Sequence, residues 1–302
     1  MRRFLYLTMF LILAGFANAY SEEVNVDSLI SLRWQKTMVL DITAAQTAYS
    51  DSWLGGEAGT FAWVSNLNAK VERRFSQKFN LKSNLRLAFG QTTVQDEESK
   101  SWSKPKKSTD LIDWENIATF PLQAFVDPYA AFRFESQFLD ASVAAKKRYL
   151  NPMKLTFSAG IARIFYRHEK DEVSSRLGMA VRQIRRNMII DMETFATEDS
   201  TQTDGGIESV SDAQLTLSKR VQYIGKLSLY KALFSSQKDE VEGTDLEGYW
   251  KSVDVNFENS LKVSVSKIMT VILYNQFLYD KELSKKGRVK QTMGVGLTFT
   301  MW

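Results

Sequence analysis

The chain has no cysteine, four prolines and a single histidine among its 302 residues. Without cysteine no disulfide can form, which excludes the small disulfide-stabilised folds of many exported proteins. One histidine and no cysteine leave carboxylates as the main metal ligands, so the sequence predicts neither a metal site nor another cofactor. The scarcity of proline and the absence of a Ser/Gly-rich linker favour one large domain over several.

Neither sign of charge dominates, because the chain has 39 Lys and Arg residues and 35 Asp and Glu residues, which gives a net charge of +4. So small a surplus does not indicate a nucleic-acid partner. Long apolar runs are also missing beyond the N-terminus. The most apolar later stretch, IMTVILYNQFLY, is interrupted by Asn275 and Gln276 and is too short for a transmembrane helix.

The N-terminus has the layout of a secretory signal peptide. Two arginines precede an apolar run over residues 4–16, and an Ala-Asn-Ala cleavage site follows. An uncleaved membrane anchor is the alternative, but the apolar run is short for a membrane span. The sequence therefore predicts a signal peptide over residues 1–19, a lead-in over 20–32 and a single β-barrel domain over 33–302.

Alternation of apolar and polar residues dominates the rest of the chain. In FNLKSNLRLAF, for example, Leu85 and Leu87 alternate with Asn84 and Arg86, which is typical of a strand with one apolar and one polar face. Long and short connections alternate between such segments, as in membrane barrels. We expect an all-β, antiparallel up-and-down transmembrane barrel with periplasmic N- and C-termini. Its roughly twelve strands lie near residues 33–48, 60–75, 79–92, 109–120, 129–139, 154–167, 173–190, 206–220, 224–235, 248–265, 268–280 and 288–302.

A soluble periplasmic barrel of the lipocalin type is the alternative, since alternation alone does not say which face points inward. Three features favour the membrane. The chain has an export signal, its predicted strands have about 11 to 18 residues when about ten cross a bilayer, and aromatic residues such as Trp34, Trp63 and Tyr279 lie near strand ends. Aromatic residues at these positions are typical of interfacial girdles.

The final stretch, GVGLTFTMW, places Val295, Leu297, Phe299 and Met301 on one face of a strand and ends on Trp302, which is out of phase with them. This strand resembles the assembly signal of Gram-negative outer-membrane barrels, which alternates apolar residues and ends on an aromatic one. The resemblance implies outer-membrane lipid and the barrel assembly machinery as partners. It assigns the signal to Leu297, Phe299, Met301 and Trp302.

A second resemblance covers roughly residues 45–140, in the stretches SWLGGEAG, FSQKFNLKSNLRLAFGQT, KSTDLI and YAAFRFESQF. These stretches are similar to an uncharacterised domain-of-unknown-function family of exported barrels in Bacteroidota-type bacteria. The resemblance implies a barrel and brings no established activity. The residues that carry it are Trp53, Gly55, Gly56, Gly90, Lys107, Asp110, Gln137 and Phe138.

The polar strand faces carry charges of both signs, which a barrel of this size directs into its lumen. There they would set the selectivity of a narrow pore or bind a charged solute. Alternatively, they pair with one another and plug the lumen. The lumen candidates are Asp41, Lys70, Glu72, Arg74, Lys82, Arg86, Arg133, Glu135, Arg163, Arg176, Arg182, Asp212, Asp254, Glu258 and Lys290.

The leading hypothesis is an outer-membrane barrel that passes or binds a small polar or charged solute. A structural or surface-interaction barrel with a plugged lumen is the second, and a barrel-type hydrolase is the third. We predict no enzyme, because the only histidine, His168, lies in the short turn RHEKDE at the periplasmic edge. Two acidic loops lack the spacing of a calcium loop, and the basic loops AAKKRY and KELSKKG either meet lipopolysaccharide phosphates or are solvated.

Overall fold

The computed structural model describes residues 34–49, 58–122, 124–143 and 145–301. The predicted signal peptide and lead-in lie outside these ranges, as do Trp53, Gly55, Gly56 and Trp302. No helix in the described ranges is long and apolar enough to cross a membrane. The strands are β1 (Gln35–Thr47), β2 (Thr60–Ser76), β3 (Phe79–Val94), β4 (Lys106–Thr119), β5 (Asp127–Ser136), β6 (Leu139–Asp140), β7 (Arg148–Tyr149), β8 (Met153–His168), β9 (Asp171–Ile189), β10 (Thr197–Ser218), β11 (Val221–Ser235), β12 (Val253–Ser264), β13 (Met269–Tyr279) and β14 (Arg288–Thr300).

Twelve of these strands form one closed antiparallel barrel, in the order β1-β14-β13-β12-β11-β10-β9-β8-β5-β4-β3-β2. The last strand closes the barrel against the first, with Leu297 opposite Ile42 and Val295 opposite Ala44. Strands β6 and β7 form a separate two-stranded hairpin. The predicted twelve-stranded barrel is confirmed, and closure leaves no unpaired edge, as a sheet in lipid requires.

The connections differ in length between the two ends of the barrel. At one end, here called the turn end, they are 77–78, 120–126, 169–170, 219–220 and 265–268. At the other, the loop end, they are 48–59, 95–105, 137–152, 190–196, 236–252 and 280–287. Strand β1 begins and β14 ends at the turn end. Both described ends of the chain therefore lie on the side with the short turns.

Two predicted strand boundaries at the loop end were wrong. Strand β10 begins at Thr197, nine residues before the predicted start at 206, because it keeps pairing with β9 as far as Thr197 opposite Ile189. This segment, TEDSTQTDG, has no apolar alternation to reveal a strand. Strand β12 begins at Val253 instead of 248, since a short 3-10 helix, Tyr249–Lys251, precedes it.

The apolar faces point outward. On β14, Val295, Leu297 and Phe299 are 53%, 42% and 39% exposed, whereas Asp41 on the inward face of the neighbouring β1 is 1% exposed. A soluble barrel has the opposite arrangement, so the lipocalin-type alternative was wrong. The barrel is a transmembrane barrel, with an outward apolar belt and a polar interior.

Aromatic side chains mark the edges of the apolar belt. At the turn end Trp34, Phe75, Phe79 and Phe120 form a chain of ring contacts with centroids 5.5–5.9 Å apart. Near the loop end, the Phe89 ring contacts those of Trp63 and Phe138. Phe79 and Phe89 are ten residues apart on β3, about 34 Å along the strand. At the usual tilt of about 40° this is about 26 Å along the barrel axis, close to the height of an outer-membrane apolar band.

Candidate functional site

The barrel interior contains a layer of charged side chains that joins opposite walls. Arg86 on β3 bonds to Asp113 on the adjacent β4, with Nη2 2.5 Å from Oδ2. Its Nη1 donates to Oε2 of Glu258 on β12 at 2.9 Å. Four strands separate β3 from β12 on one side of the barrel and six on the other. The Arg86 side chain therefore bridges the interior.

Asp113 extends this layer along the wall. It accepts a hydrogen bond of 2.8 Å from Nε of Arg133 on β5. Arg133 in turn pairs with Glu135 at 3.1 Å, and Glu135 pairs with Lys154 on β8 at 3.0 Å. Each charge in the series has an oppositely charged neighbour, which compensates for its removal from bulk water.

Glu115, two residues beyond Asp113 on β4, makes a second crossing. It accepts a hydrogen bond from Arg176 on β9 and lies 3.3 Å from Nζ of Lys226 on β11. We call the set of these charged residues the central charge layer. It consists of Arg86, Asp113, Glu115, Arg133, Arg176, Lys226 and Glu258. Its members come from six strands, so the layer spans the cross-section of the barrel.

Further ion pairs cross the interior on either side of this layer. Nearer the turn end, Lys82 on β3 lies 3.0 Å from Glu172 on β9. Nearer the loop end, Arg182 on β9 lies 2.8 Å from Asp254 on β12. The guanidinium of Arg182 also lies 3.4 Å from the ring centroid of Tyr230. The interior is thus bridged at three levels along the barrel axis.

Loop 236–252 folds over the loop end of the interior. Its Trp250 packs against the buried, inward-facing cluster of Ala180, Tyr230 and Ala232. A cavity of about 260 Å³ lies between this loop and loop 280–287. The loop end of the barrel is therefore narrowed by its own chain.

The buried amide of Gln202 is part of the lining of this cavity. Its Oε1 accepts a 3.0 Å hydrogen bond from Arg186, and its Nε2 donates to Glu282 at 3.3 Å. Burial, and the nearby carboxylates of Asp204 and Asp280, raise the pKa of Glu282. The loop end of the barrel thus holds a glutamate, Glu282, that is protonated more readily than an exposed glutamate.

The structure gives most of the predicted lumen residues a partner in the interior. Asp41 pairs with Lys262, Lys70 pairs with Glu72, and Lys290 donates to Thr109 across the barrel. Asp212 lies on the inward face of β10, in line with Asp204 and Glu208. The predicted residues with the interior contacts already described are Lys82, Arg86, Arg133, Glu135, Arg176, Arg182, Asp254 and Glu258.

One of the predicted lumen residues lies elsewhere. Arg163 is on the outward face of β8 with Phe157 and Ile161, and it donates to the carbonyl of Phe125 at 2.6 Å while its guanidinium lies 3.6 Å from the Phe125 ring centroid. A long side chain near the edge of the belt reaches polar turn atoms more easily than the lumen. The lumen prediction was wrong for Arg163.

Arg74 lies on the inward face of β2, in phase with Lys70 and Glu72 and opposite Asn80. It is half-buried near the turn end, where its guanidinium donates to the carbonyls of Ser76 and Gln77.

The sequence reasoning missed Asp113, Glu115 and Lys226 of the central charge layer. Asp113 and Glu115 flank Trp114 in the stretch DLIDWENI, and Trp114 is 43% exposed on the outward face. This alternation was the signal that would have identified both acids. Lys226 alternates in the same way with apolar residues of GKLSLYKALF.

A second cluster brings together four residues of the 45–140 resemblance. Nζ of Lys107 lies 2.6 Å from Oε1 of Gln137 and 3.2 Å from Oδ2 of Asp110. The Asp110 carboxylate accepts the backbone N–H groups of Phe138 at 2.6 Å and Leu139 at 2.9 Å. These residues therefore fix the start of loop 137–152 to the start of β4.

Gly90 lies close to this cluster, at a point where two strands approach closely. A Cβ atom there would lie 2.7 Å from the carbonyl oxygen of Trp63 and 2.7 Å from Cγ2 of Val64. The pairing of β3 with β4 shifts register just after Gly90. A side chain at this position would push the strands apart, which explains why a glycine occurs there.

His168 ends β8 at the turn end and is exposed. In the part of the chain that the structure describes, no group of three or more His, Asp or Glu side chains is placed to hold a metal ion.

Residues 44–141 match a protein family described as "Protein of unknown function (DUF3078)". That stretch is nearly the one predicted from the sequence. The expected similarity to a family of unknown function is confirmed. Its assignment to Bacteroidota-type bacteria stays a prediction. No curated protein sequence matches the chain.

Solved structures of outer-membrane barrels are similar to this chain at low sequence identity. An outer membrane channel from Pseudomonas putida F1 is 12% identical with a TM-score of 0.41, covering 92% of this chain and 99% of the channel. The translocator domain of autotransporter NalP from Neisseria meningitidis is 9% identical with a TM-score of 0.36, covering 99% and 95%. The NanC porin is 9% identical with a TM-score of 0.37, covering 87% and 98%. What this barrel does is therefore inferred from its own side chains.

Proposed function

We propose that the protein is an outer-membrane pore of low conductance for small polar or charged solutes. It is exported by its signal peptide, folded by the barrel assembly machinery and inserted with both termini in the periplasm. The closed sheet, the outward apolar belt and the short turns beside both described ends support this location and orientation.

The observation that carries the proposal is the exposed fraction of Arg86. This side chain points into the barrel and bridges its walls, yet it is 29% exposed. An exposed fraction inside a closed barrel means that space for water remains beside the side chain. Barrels of eight strands are filled by side chains and those of sixteen or more hold wide channels, so twelve strands fit a narrow passage.

The distribution of charge favours small polar or charged solutes. Arg86 and Glu258 place opposite charges across the passage, and Lys226 faces Glu115 in the same layer. A narrow polar passage with fixed charges admits a solute that can exchange its water for these groups and rejects an apolar or bulky one.

A second candidate is a structural or surface-interaction barrel with a plugged lumen. It is favoured by the same bridges, because Asp113, Glu115, Arg133 and Arg176 have nearly no exposed surface. Under this proposal the ion pairs close the barrel and the loops carry its contacts.

Single-channel recording with the purified, folded barrel in planar bilayers tests the pore. We expect small steady current steps from the wild type and larger ones from Arg86→Ser, because the substitution removes the bridge between β3 and β12. Arg220→Ser, in the exposed 219–220 turn, is the matched control and should conduct like the wild type. If only Arg86→Ser conducts, the wild-type barrel is plugged. If neither folded protein conducts, the pore proposal is rejected.

A further inference from the structure

A cavity of about 400 Å³ lies outside the barrel wall at the loop end, between the β6–β7 hairpin and the ends of β8, β9 and β10. Met153 and Arg185, which line it, are paired on the outward face of β8 and β9. The neighbouring Lys154 points into the lumen, where it pairs with Glu135. The cavity is thus separate from the interior site.

The cavity lies just above the apolar belt. Val181, the last outward apolar residue of β9 before the polar Gln183, is 46% exposed. Arg185 is four residues nearer the loop end, about 14 Å along the strand. At this height a residue on the outer surface faces the lipid headgroups instead of the acyl chains.

The lining of the cavity is basic. It contains Lys146, Lys147, Arg148 and Arg185 against a single carboxylate, that of Asp199. Arg185 is paired with Asp199 at 2.6 Å, while the two lysines are exposed. A concave surface with this excess of positive charge is complementary to phosphate.

Apolar side chains lie beside these charges. Tyr149 is 71% exposed and Leu150 is 43% exposed, and both line the cavity together with Met153. Exposed apolar groups next to basic ones, at the level of the headgroups, fit a ligand that has both a phosphate and an acyl chain.

The hairpin that carries the lysines is held in place by buried polar contacts. Nη2 of Arg148 lies 2.6 Å from Asp140, and Nδ2 of Asn151 donates to Asp140 at 2.7 Å. The backbone N–H of Asn187 on β9 donates to Asn151 at 2.7 Å. Gln137 donates to the carbonyl of Asn151 and so connects the hairpin with Lys107. A surface fixed in this way loses little conformational entropy when a ligand binds.

We propose that this cavity binds the phosphate group of a lipid headgroup in the leaflet at the loop end, and we call it the lipid-phosphate site. A lipid is the source of the phosphate because the cavity opens on the outer surface of the barrel, directly above the apolar belt. The proposal requires a membrane barrel and does not depend on whether the lumen conducts.

Native mass spectrometry of the folded mature barrel in neutral detergent tests the site. The probes are lipid A with both phosphates and the same glycolipid after enzymatic dephosphorylation. We expect tighter binding of the phosphorylated form. Lys146→Gln/Lys147→Gln should weaken it on the order of tenfold or more, since a basic residue near an anionic headgroup contributes about a factor of five. The matched control is Lys170→Gln/Lys219→Gln, which removes two exposed lysines at the turn end.

Equal binding of the two glycolipids overturns the proposal, as does an equal loss in the control variant. Displacement of lipid A by millimolar inorganic phosphate overturns the assignment to a lipid. Retention of lipid A by Lys146→Gln/Lys147→Gln at wild-type affinity moves the binding elsewhere on the barrel. Because the assay contains no transport step, a barrel that fails to conduct leaves these outcomes unchanged.

Discussion

Arg86 on β3 and Glu258 on β12 belong to opposite walls of the barrel, and their side chains meet with Nη1 2.9 Å from Oε2. The same guanidinium holds Asp113 on the adjacent strand. A contact between strands so far apart in the sheet connects opposite walls of the barrel, in addition to the backbone hydrogen bonds between neighbouring strands. Under the proposed pore function, the same contact also narrows the passage, so that one side chain would affect both the stability and the permeability of the barrel.

The first prediction concerns the stability that the central charge layer gives. Glu115→Gln leaves Arg176 and Lys226 in the interior without their carboxylate, and removing one partner from a buried ion pair costs about 3–5 kcal/mol. We expect a clear drop in the urea concentration at which the folded band is lost on unheated gels. Glu198→Gln, exposed near the loop end, is the control and should unfold like the wild type. Equal midpoints for the three proteins would contradict this role of Glu115.

The second prediction tests which strand face meets lipid. Leu85 lies on the outward face of β3 near the middle of the apolar belt, and its neighbour Asn84 points inward. Leu85→Arg should block insertion, since an arginine on the lipid face near the midplane costs about 2–4 kcal/mol. Asn84→Arg should insert normally. Folding into vesicles, followed by gel shift, measures both, and equal insertion of the two variants would reverse the assignment of the faces.

The third prediction concerns barrel closure. Phe299 and Thr300 pair with Leu40 and Val39 on β1. Deleting residues 299–302 removes these pairs and part of the proposed assembly signal, so we expect the truncated chain to accumulate in the periplasm and be degraded. Trp302→Ala should be milder, because it keeps the strand pairing. Cell fractionation and immunoblotting measure both, and a truncated chain at normal levels in the outer membrane would refute the prediction.

The fourth prediction follows from the raised pKa of Glu282. The pKa of this carboxyl group is higher when the loops are packed than when they are open, so its protonated form favours the packed loops. This contribution is lost as the pH rises through the pKa of the packed state. Loops 236–252 and 280–287 should therefore exchange amide hydrogens more slowly, relative to the intrinsic rate, in mild acid than at neutral pH. Glu282→Gln should remove this dependence, while Glu240→Gln, exposed in loop 236–252, should retain it. A wild type without pH-dependent protection would show that Glu282 does not control the packing.

The fifth prediction concerns the motif cluster. Asp110→Ala removes the acceptor for two backbone N–H groups and the partner of Lys107, so loop 137–152 should be cut faster by protease. The barrel itself should stay closed, as judged by gel shift. Asp96→Ala, in the exposed loop 95–105, is the control and should leave loop 137–152 protected. Cleavage of both variants at the same rate would show that Asp110 does not anchor the loop.

The strands and their faces were predictable because the bilayer imposes alternation. Leu85 and Arg86 are assigned to opposite faces by sequence alone, and the structure agrees. Where the bilayer ends, this constraint ends too. The first residues of β10, TEDSTQTDG, pair with β9 outside the apolar belt and show no alternation of apolar and polar residues. Arg163 lies at the edge of the belt, where an arginine is stable on the outward face.

The partners across the interior were not predictable. Following the strand register from Lys82 through β4, β5 and β8 leads to Ala180 on β9. Nζ of Lys82 nevertheless contacts Glu172, eight residues nearer the turn end of the same strand. The offset arises because tilted strands in a closed barrel shift the register around its circumference. Alternation in the sequence shows which side chains point inward, but it does not show how far the strands tilt from the barrel axis.

The length of β10, 22 residues, determines which part of the protein meets the surroundings first. Beyond Arg185 and Thr201, β9 and β10 continue as a paired ribbon to Thr197 opposite Ile189. The four residues of each strand from Arg186 and Ser200 onward extend about 14 Å along the strand. With the loop end outside the cell, as proposed, this ribbon stands above the headgroups, so a large molecule that approaches the cell surface meets its acidic tip before any residue of the lumen.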